Sequence, residues 1–268
     1  MDMLTKPKLW NCFLRQHGYL LHQQIGAGSF GDVFSVTKAT AGTRWAVKRL
    51  VARRTIAEDE YIMAEVKAFL ELAHAHIVEA EELLTTRTCA CIVMELAPLG
   101  NLEMVVTSTD VDDAFVNLAF HQVTLAVDYC HARGVAHRDI NPSNVLVFSS
   151  KRVKLADFGL CTPCYDLTTG QPLLCSDYLG QDCYLAPEVK KCQPFAARPA
   201  DLWSLGCLLY FLYVRAHPPS DFPDLDLLTC EPCASSSPVR HKKLISTLCS
   251  VNVLDRPTTS QLIELWLN

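Results

Sequence analysis

The sequence lacks any apolar run long enough to cross a bilayer. The longest, Leu202 to Val214, has 13 residues, against the about 20 that a hydrocarbon core requires, and reads instead as a buried helix. There is no block of like charge either: 24 Lys and Arg face 29 Asp and Glu, for a formal net charge of -5, so the electrostatic footprint of a nucleic-acid binder is missing. Residues 1–18 lack the basic region, continuous apolar stretch and small-residue cleavage site of a secretory leader. No internal repeat or low-complexity tract occurs. The 13 cysteines are odd in number and scattered through apolar segments, which excludes a full disulfide framework and fits reduced, buried thiols. These absences lead us to expect an intracellular monomer that engages neither nucleic acid nor membrane.

What is present is an ordinary globular composition, 50% hydrophobic and 20% charged, in a chain long enough for one large domain or two small lobes sharing a cleft. Between residues 19 and 50, β-type runs (Asp32 to Val36, Arg44 to Lys48) alternate with Gly-rich and Ala41-Gly42-Thr43 turns, predicting an antiparallel sheet. From Thr55 to Ala73 the apolar residues Ile62, Val66, Phe69, Leu70 and Ala73 recur at helical spacing. Strand signals return at Cys89 to Leu96, and Pro98-Leu99-Gly100 then breaks the chain, where we place a hinge. Beyond it, helices are expected at 111–132, 198–214, 239–251 and 259–267, the last announced by Asp255-Arg256-Pro257-Thr258. The segment from Asp157 to Pro187 shows little periodicity, as long functional loops do.

Three clusters carry chemistry. Gly26-Ala27-Gly28-Ser29-Phe30-Gly31-Asp32-Val33 lies between two predicted strands, where glycines let backbone N–H groups approach phosphate oxygens. Taken alone it is equally an ordinary hairpin turn. The next strand ends on Ala46-Val47-Lys48, and Glu65 in the following helix, or less favourably Glu60, can pair with Lys48 and fix that point charge. The most specific cluster is His137-Arg138-Asp139-Ile140-Asn141-Pro142-Ser143-Asn144, followed by Val145-Leu146-Val147 and then Asp157-Phe158-Gly159.

In this order the clusters resemble the signature set of the eukaryotic protein kinase family over residues 19–267. The resemblance implies an α+β, bilobal fold: a small antiparallel lobe with one main helix at 19–96, a larger mainly helical lobe at 97–268, and an N-terminal extension at 1–18. It implies transfer of the ATP γ-phosphoryl group to protein hydroxyls with Mg²⁺ as cofactor. Asp139 would accept the hydroxyl proton, Asn144 and Asp157 would bind Mg²⁺, and Lys48 with Glu65 would hold the phosphates. Around the nucleotide it puts Ile25, the backbone from Gly26 through Ala27, Gly28, Ser29 and Phe30 to Gly31, and then Val33, Ala46 and Leu146. Met94 would be gatekeeper, Glu95 and Ala97 would present backbone to adenine, and Asn101 would meet the ribose. Ala186-Pro187-Glu188, Asp201 to Gly206 and Arg256 match structural positions, with Arg256 the expected partner of Glu188.

The chain also departs from that family. Serine/threonine kinases usually carry lysine where Asn141 stands and threonine where Gln181 stands; we expect these two to bond each other and leave Asp139 aimed, which gives Asn141 a catalytic part. Arginine, which tyrosine kinases place just before the metal-binding asparagine, is replaced by Ser143, so Ser/Thr specificity is favoured. Asp177 occupies the usual phospho-threonine position opposite Arg138, predicting activity without loop phosphorylation, with Ser176 the rival site. The pairs Cys161/Cys164 and Cys230/Cys233 admit zinc or a redox switch but read more simply as thiols. A catalytically silent scaffold with this fold is the alternative function.

Overall fold

The computed structural model describes residues 7–28, 31–51, 56–86, 89–166, 168–219, 222 and 238–267. Two compact units emerge: one takes the residues up to Ala73 together with Val78–Leu96, the other His74–Ile77 and the residues from Ala97 onward. Among the described residues no helix is long and apolar enough to cross a membrane.

The first unit is built on a five-stranded sheet in the order β1-β2-β3-β5-β4. Its elements are helix α1 (Pro7–Gln16), strands β1 (Tyr19–Gly28), β2 (Gly31–Lys38) and β3 (Arg44–Val51), helix α2 (Ile56–Glu71), and strands β4 (Ala80–Thr85) and β5 (Cys89–Glu95). All pairings are antiparallel. Side chains alternate across a strand, so β3 sorts its residues between two faces. Val47 joins Val36, Cys91 and Val93 in a core closed by Trp10 and Leu14 of α1. Leu50 and Ile92 pack with Val66 of α2 on the other face. Helix α1 falls inside what the sequence suggests is a mere extension; Trp10, Phe13 and Leu14 sit at helical spacing, and Trp10 and Leu14 are buried.

The second unit is mainly helical. Helix α3 (Leu102–Ser108) is followed by α4 (Asp113–Ala132), strand β6 (Val135–Ala136), a 3₁₀ turn (Pro142–Asn144), and the hairpin β7 (Val145–Ser149) and β8 (Arg152–Leu155). Short strands β9 (Thr162–Pro163) and β10 (Leu174–Cys175) precede helix α5 (Pro187–Lys190), strand β11 (Phe195–Ala196) and helices α6 (Ala197–Val214), α7 (Pro238–Leu248) and α8 (Thr259–Leu267). From Ala200 to Tyr213 every residue of α6 is buried, as a sequence apolar on all sides apart from Asp201 and Ser204 requires.

Two expectations need correction. Residues 74–77 fall with the helical unit, not with the sheet: Ile77 bridges Leu155, and the Leu155 amide donates to the His76 carbonyl at 2.8 Å. The segment after Asp157 is also less irregular than its sequence implies, because β9 pairs with β6 and β10 with β11.

Candidate active site

In the sheet unit, the register sets most of the expected nucleotide contacts on one face. Val33 lies opposite Lys48, Gly26 opposite Val33, and Ala46 opposite Met94, and residues directly opposite share a face. Helix α2 covers this face and brings Glu65 to Lys48, with Nζ to Oε1 at 2.6 Å and both side chains buried. Glu60, the alternative partner, is exposed. A buried pair of this kind holds the ammonium at one point instead of on a wandering stem. Ile25 and Ala27 are exposed on β1, whose last residue is Gly28; Ser29 and Phe30 lie outside the described residues. The Glu95 amide is engaged by the Glu79 carbonyl at 3.0 Å, so a base contact there would fall to the Glu95 carbonyl.

In the helical unit, the antiparallel hairpin β7–β8 explains why Asn144 and Asp157 belong together. Asn144 immediately precedes β7 and Asp157 follows β8, so the hairpin presents both at its open end, where the Ala156 amide donates to the Asn144 carbonyl at 2.8 Å. Asp139 meets them there. Its carboxylate accepts from Asn144 Nδ2 at 2.7 Å and from Asn141 Nδ2 at 3.0 Å. Burial lifts the Asp139 carboxyl above its ordinary range; His137 and the two amides oppose this, and the charge of Asp157 adds to it. Asp157 has φ 61, in the left-handed region, and its Oδ1 accepts from the Gly159 amide at 3.3 Å. In the same unit Asn101 and Leu146 form an isolated bridge. Asn101 also caps α3, accepting from the Met104 amide at 2.9 Å, a structural duty not anticipated for the residue expected at the ribose.

The family described as "Protein kinase domain" matches residues 19–267. The chain belongs to the protein kinase family. Curated relatives include human testis-specific serine/threonine-protein kinase 1, 31% identical over 78% of this chain and 58% of the relative. CBL-interacting serine/threonine-protein kinase 21 of Arabidopsis thaliana is 32% identical over 91% and 59%. Serine/threonine protein kinase OSK3 of Oryza sativa subsp. indica is 35% identical over 76% and 40%. The chain thus matches about three fifths or less of the length of these relatives.

The kinase loop is held from beneath by a residue whose part sequence reasoning missed. Asp201, fully buried at the start of α6, accepts from the backbone amides of His137 and Arg138 and from His131 Nε2, each at 2.8 Å. Burial alone would raise its carboxyl, but the hydrogen bond and charge of His131, with His137 and the Arg138 amide, more than offset this and hold it below the usual carboxylate range. The grip fixes Arg138 at φ 67, which turns the chain so that Asp139 follows. His137 then ties the loop to the Asp157 segment: its Nδ1 accepts from the Asp139 amide at 3.2 Å, and its Nε2 faces the Ala156 carbonyl at 3.1 Å. The signal was the buried acid in an otherwise apolar helix, which must find partners.

Two departures from the family pattern resolve differently from expectation. Asn141 does not bond Gln181. Its Nδ2 donates to Asp139 and its Oδ1 accepts from the Ser143 and Asn144 amides, capping the 3₁₀ turn, while Gln181 is exposed and makes no side-chain cap. Gly180, at φ 112, lies so close to the loop that a Cβ there would stand 3.1 Å from the Arg138 carbonyl oxygen. Asp177 meets Arg138 at 2.7 Å. Burial disfavours the Asp177 charge, yet the Arg138 hydrogen bond and charge outweigh it and lower its carboxyl. Glu188 and Arg256 form a two-pronged pair at 2.6 and 2.9 Å. Among the described residues no group of three or more His, Cys, Asp or Glu is placed to hold a metal; Cys161 and Cys164 are buried, and Cys230 and Cys233 lie outside the described residues.

Proposed function

We propose that the chain transfers the γ-phosphoryl group of MgATP to serine or threonine hydroxyls of other proteins. The observation that carries this reading is the half-buried Asp139 carboxylate, held by two side-chain amides at 2.7 and 3.0 Å and within electrostatic reach of Asp157. Asp139 orients the acceptor hydroxyl and takes its proton as the hydroxyl oxygen bonds to the γ-phosphorus; the bond to the β–γ bridging oxygen breaks and ADP leaves. Lys48, fixed by Glu65, presents its ammonium to the phosphates. Asn144 and Asp157 suit Mg²⁺: the Asn144 amide nitrogen is turned to Asp139, so its side-chain oxygen and the Asp157 carboxylate are the hard donors that would hold the ion. Bound Mg²⁺ supplies neutralisation of phosphate charge.

Asn141 gives the loop no cation, so charge on the transferred group is met by fewer protein groups than in kinases with lysine there. Ser143 and Pro142, with the serine/threonine kinases among the relatives, favour aliphatic hydroxyls over tyrosine. The test is transfer of labelled phosphate from ATP to a generic protein with Mg²⁺, followed by acid hydrolysis of the product. Phosphoserine and phosphothreonine are expected. Label found only on tyrosine, or transfer indifferent to magnesium, would contradict the reading.

A further inference from the structure

Helix α1 takes no part in the chemistry described so far, yet it reaches the glycine-rich hairpin through a chain of contacts. Trp10, 2% exposed, packs its ring 5.6 Å from that of Phe34. The Arg49 guanidinium lies 5.3 Å from the centre of each ring, within the range where an aromatic face attracts a cation. The same guanidinium meets Asp32 Oδ2 at 2.5 Å. Asp32 Oδ1 accepts from Gln24 Nε2 at 3.1 Å, and Gln24 also donates to the Gly26 carbonyl at 3.2 Å. Arg49 therefore joins α1, β3, β2 and β1 near the paired ends of β1 and β2. The backbones close up at the same place: a Cβ on Gly31 would stand 2.2 Å from the Arg49 carbonyl oxygen.

We infer that Trp10, Arg49 and Asp32 are positioning residues that brace the glycine-rich hairpin for the ATP phosphates, with α1 as the fixed end of the brace. The inference rests on the kinase reading for its ligand but not for its mechanics. An arginine suits the task because its flat guanidinium stacks on rings and pairs with a carboxylate at once. Loss of the Trp10 ring removes one of the two aromatic faces that hold the guanidinium, Asp32 has a less fixed partner, and the hairpin samples conformations that do not meet the phosphates. Adenosine, which has no phosphate and meets the hairpin only through side chains such as Val33, is less sensitive to that motion.

The test measures affinities of the full chain for MgATP and for adenosine by calorimetry, with amide hydrogen exchange over residues 24–33. Trp10→Leu and Asp32→Asn should each weaken ATP by about 3- to 10-fold, leave adenosine within about 2-fold, and speed exchange in the hairpin; Trp10→Phe, which keeps a ring face, should restore most of the ATP affinity. Trp10→Leu touches the core, so Asp32→Asn, at a partly exposed site, carries the test should that variant fail to fold. Parallel losses for ATP and adenosine, or unchanged ATP affinity in the folded variants, would overturn the brace. A wild-type chain that binds no ATP would remove the kinase reading, and exchange alone would then decide: acceleration confined to the hairpin upholds the brace, and unchanged exchange refutes it.

Discussion

Asn141 stands where the family offers a cation, and it serves by donation and acceptance at once. Its nitrogen steadies Asp139 and its oxygen caps the turn that carries Asn144. Replacing it by alanine removes both, so Asn141→Ala should lower kcat by about 10- to 100-fold, whereas Gln181→Ala, at an exposed side chain, should leave the rate within about 2-fold, as surface changes do. Comparable losses in the two variants would restore the direct Asn141–Gln181 bond that the sequence suggests. The difference shows what was legible at this scale. Residue types at short spacing, such as Asp139 with Asn144 and Asp157, declare themselves in the sequence because the chemistry demands those groups. The partner of an amide depends on the local turn, and a cap two residues away outcompetes a partner forty positions on.

At the scale of elements, the segment after Asp157 carries a permanent charge that meets Arg138. Arg138 pairs with Asp177, whose side chain is 44% exposed, so we expect ordering rather than a large gain in stability. Asp177→Ala should lower kinase activity by about 10-fold, and phosphatase treatment of the wild-type chain should change nothing; loss of activity on dephosphorylation would point to Ser176 instead. The Glu188–Arg256 pair is a different case, since the Arg256 side chain is 1% exposed and also donates to the Ser250 and Pro199 carbonyls. Arg256→Met should cost about 3–5 kcal/mol of stability by leaving Glu188 half-buried and unpaired, read as a fall in melting temperature; a shift of under about 2 °C would contradict it. Helices α2, α4, α6 and α8 were legible to within two residues, the nine-residue α8 because Asp255 to Thr258 announces its start. The ten-residue α1 reads in the sequence as an extension, and it is held by the sheet it covers; β9 to β11 are strands of two residues that exist only through their pairing.

For the molecule as a whole, histidines set an acid limit. Burial lowers the pKa of His74, His76, His121 and His241, with Arg133 beside His74 and Arg152 beside His76 adding repulsion. These groups hold protons less readily in the fold than in the unfolded chain, where a histidine titrates at about pH 6.5. The unfolded chain then binds more protons than the folded one, so stability is full above that pH and declines as pH falls below it. Melting temperature should drop steadily between pH 7 and 5.5 by this account, and His121→Gln should flatten part of the slope; a flat profile to pH 5.5 would contradict it. The central claim, that Asp139 is the base of a phosphoryl transfer, meets its most direct measurement in a comparison of the wild-type chain with Asp139→Asn. ATP affinity and the rate of phosphate transfer to protein are read on the same samples. The account predicts near-equal binding and a transfer rate reduced by at least about 100-fold; equal rates in the two proteins, or no transfer by a wild-type chain that binds MgATP, would contradict it.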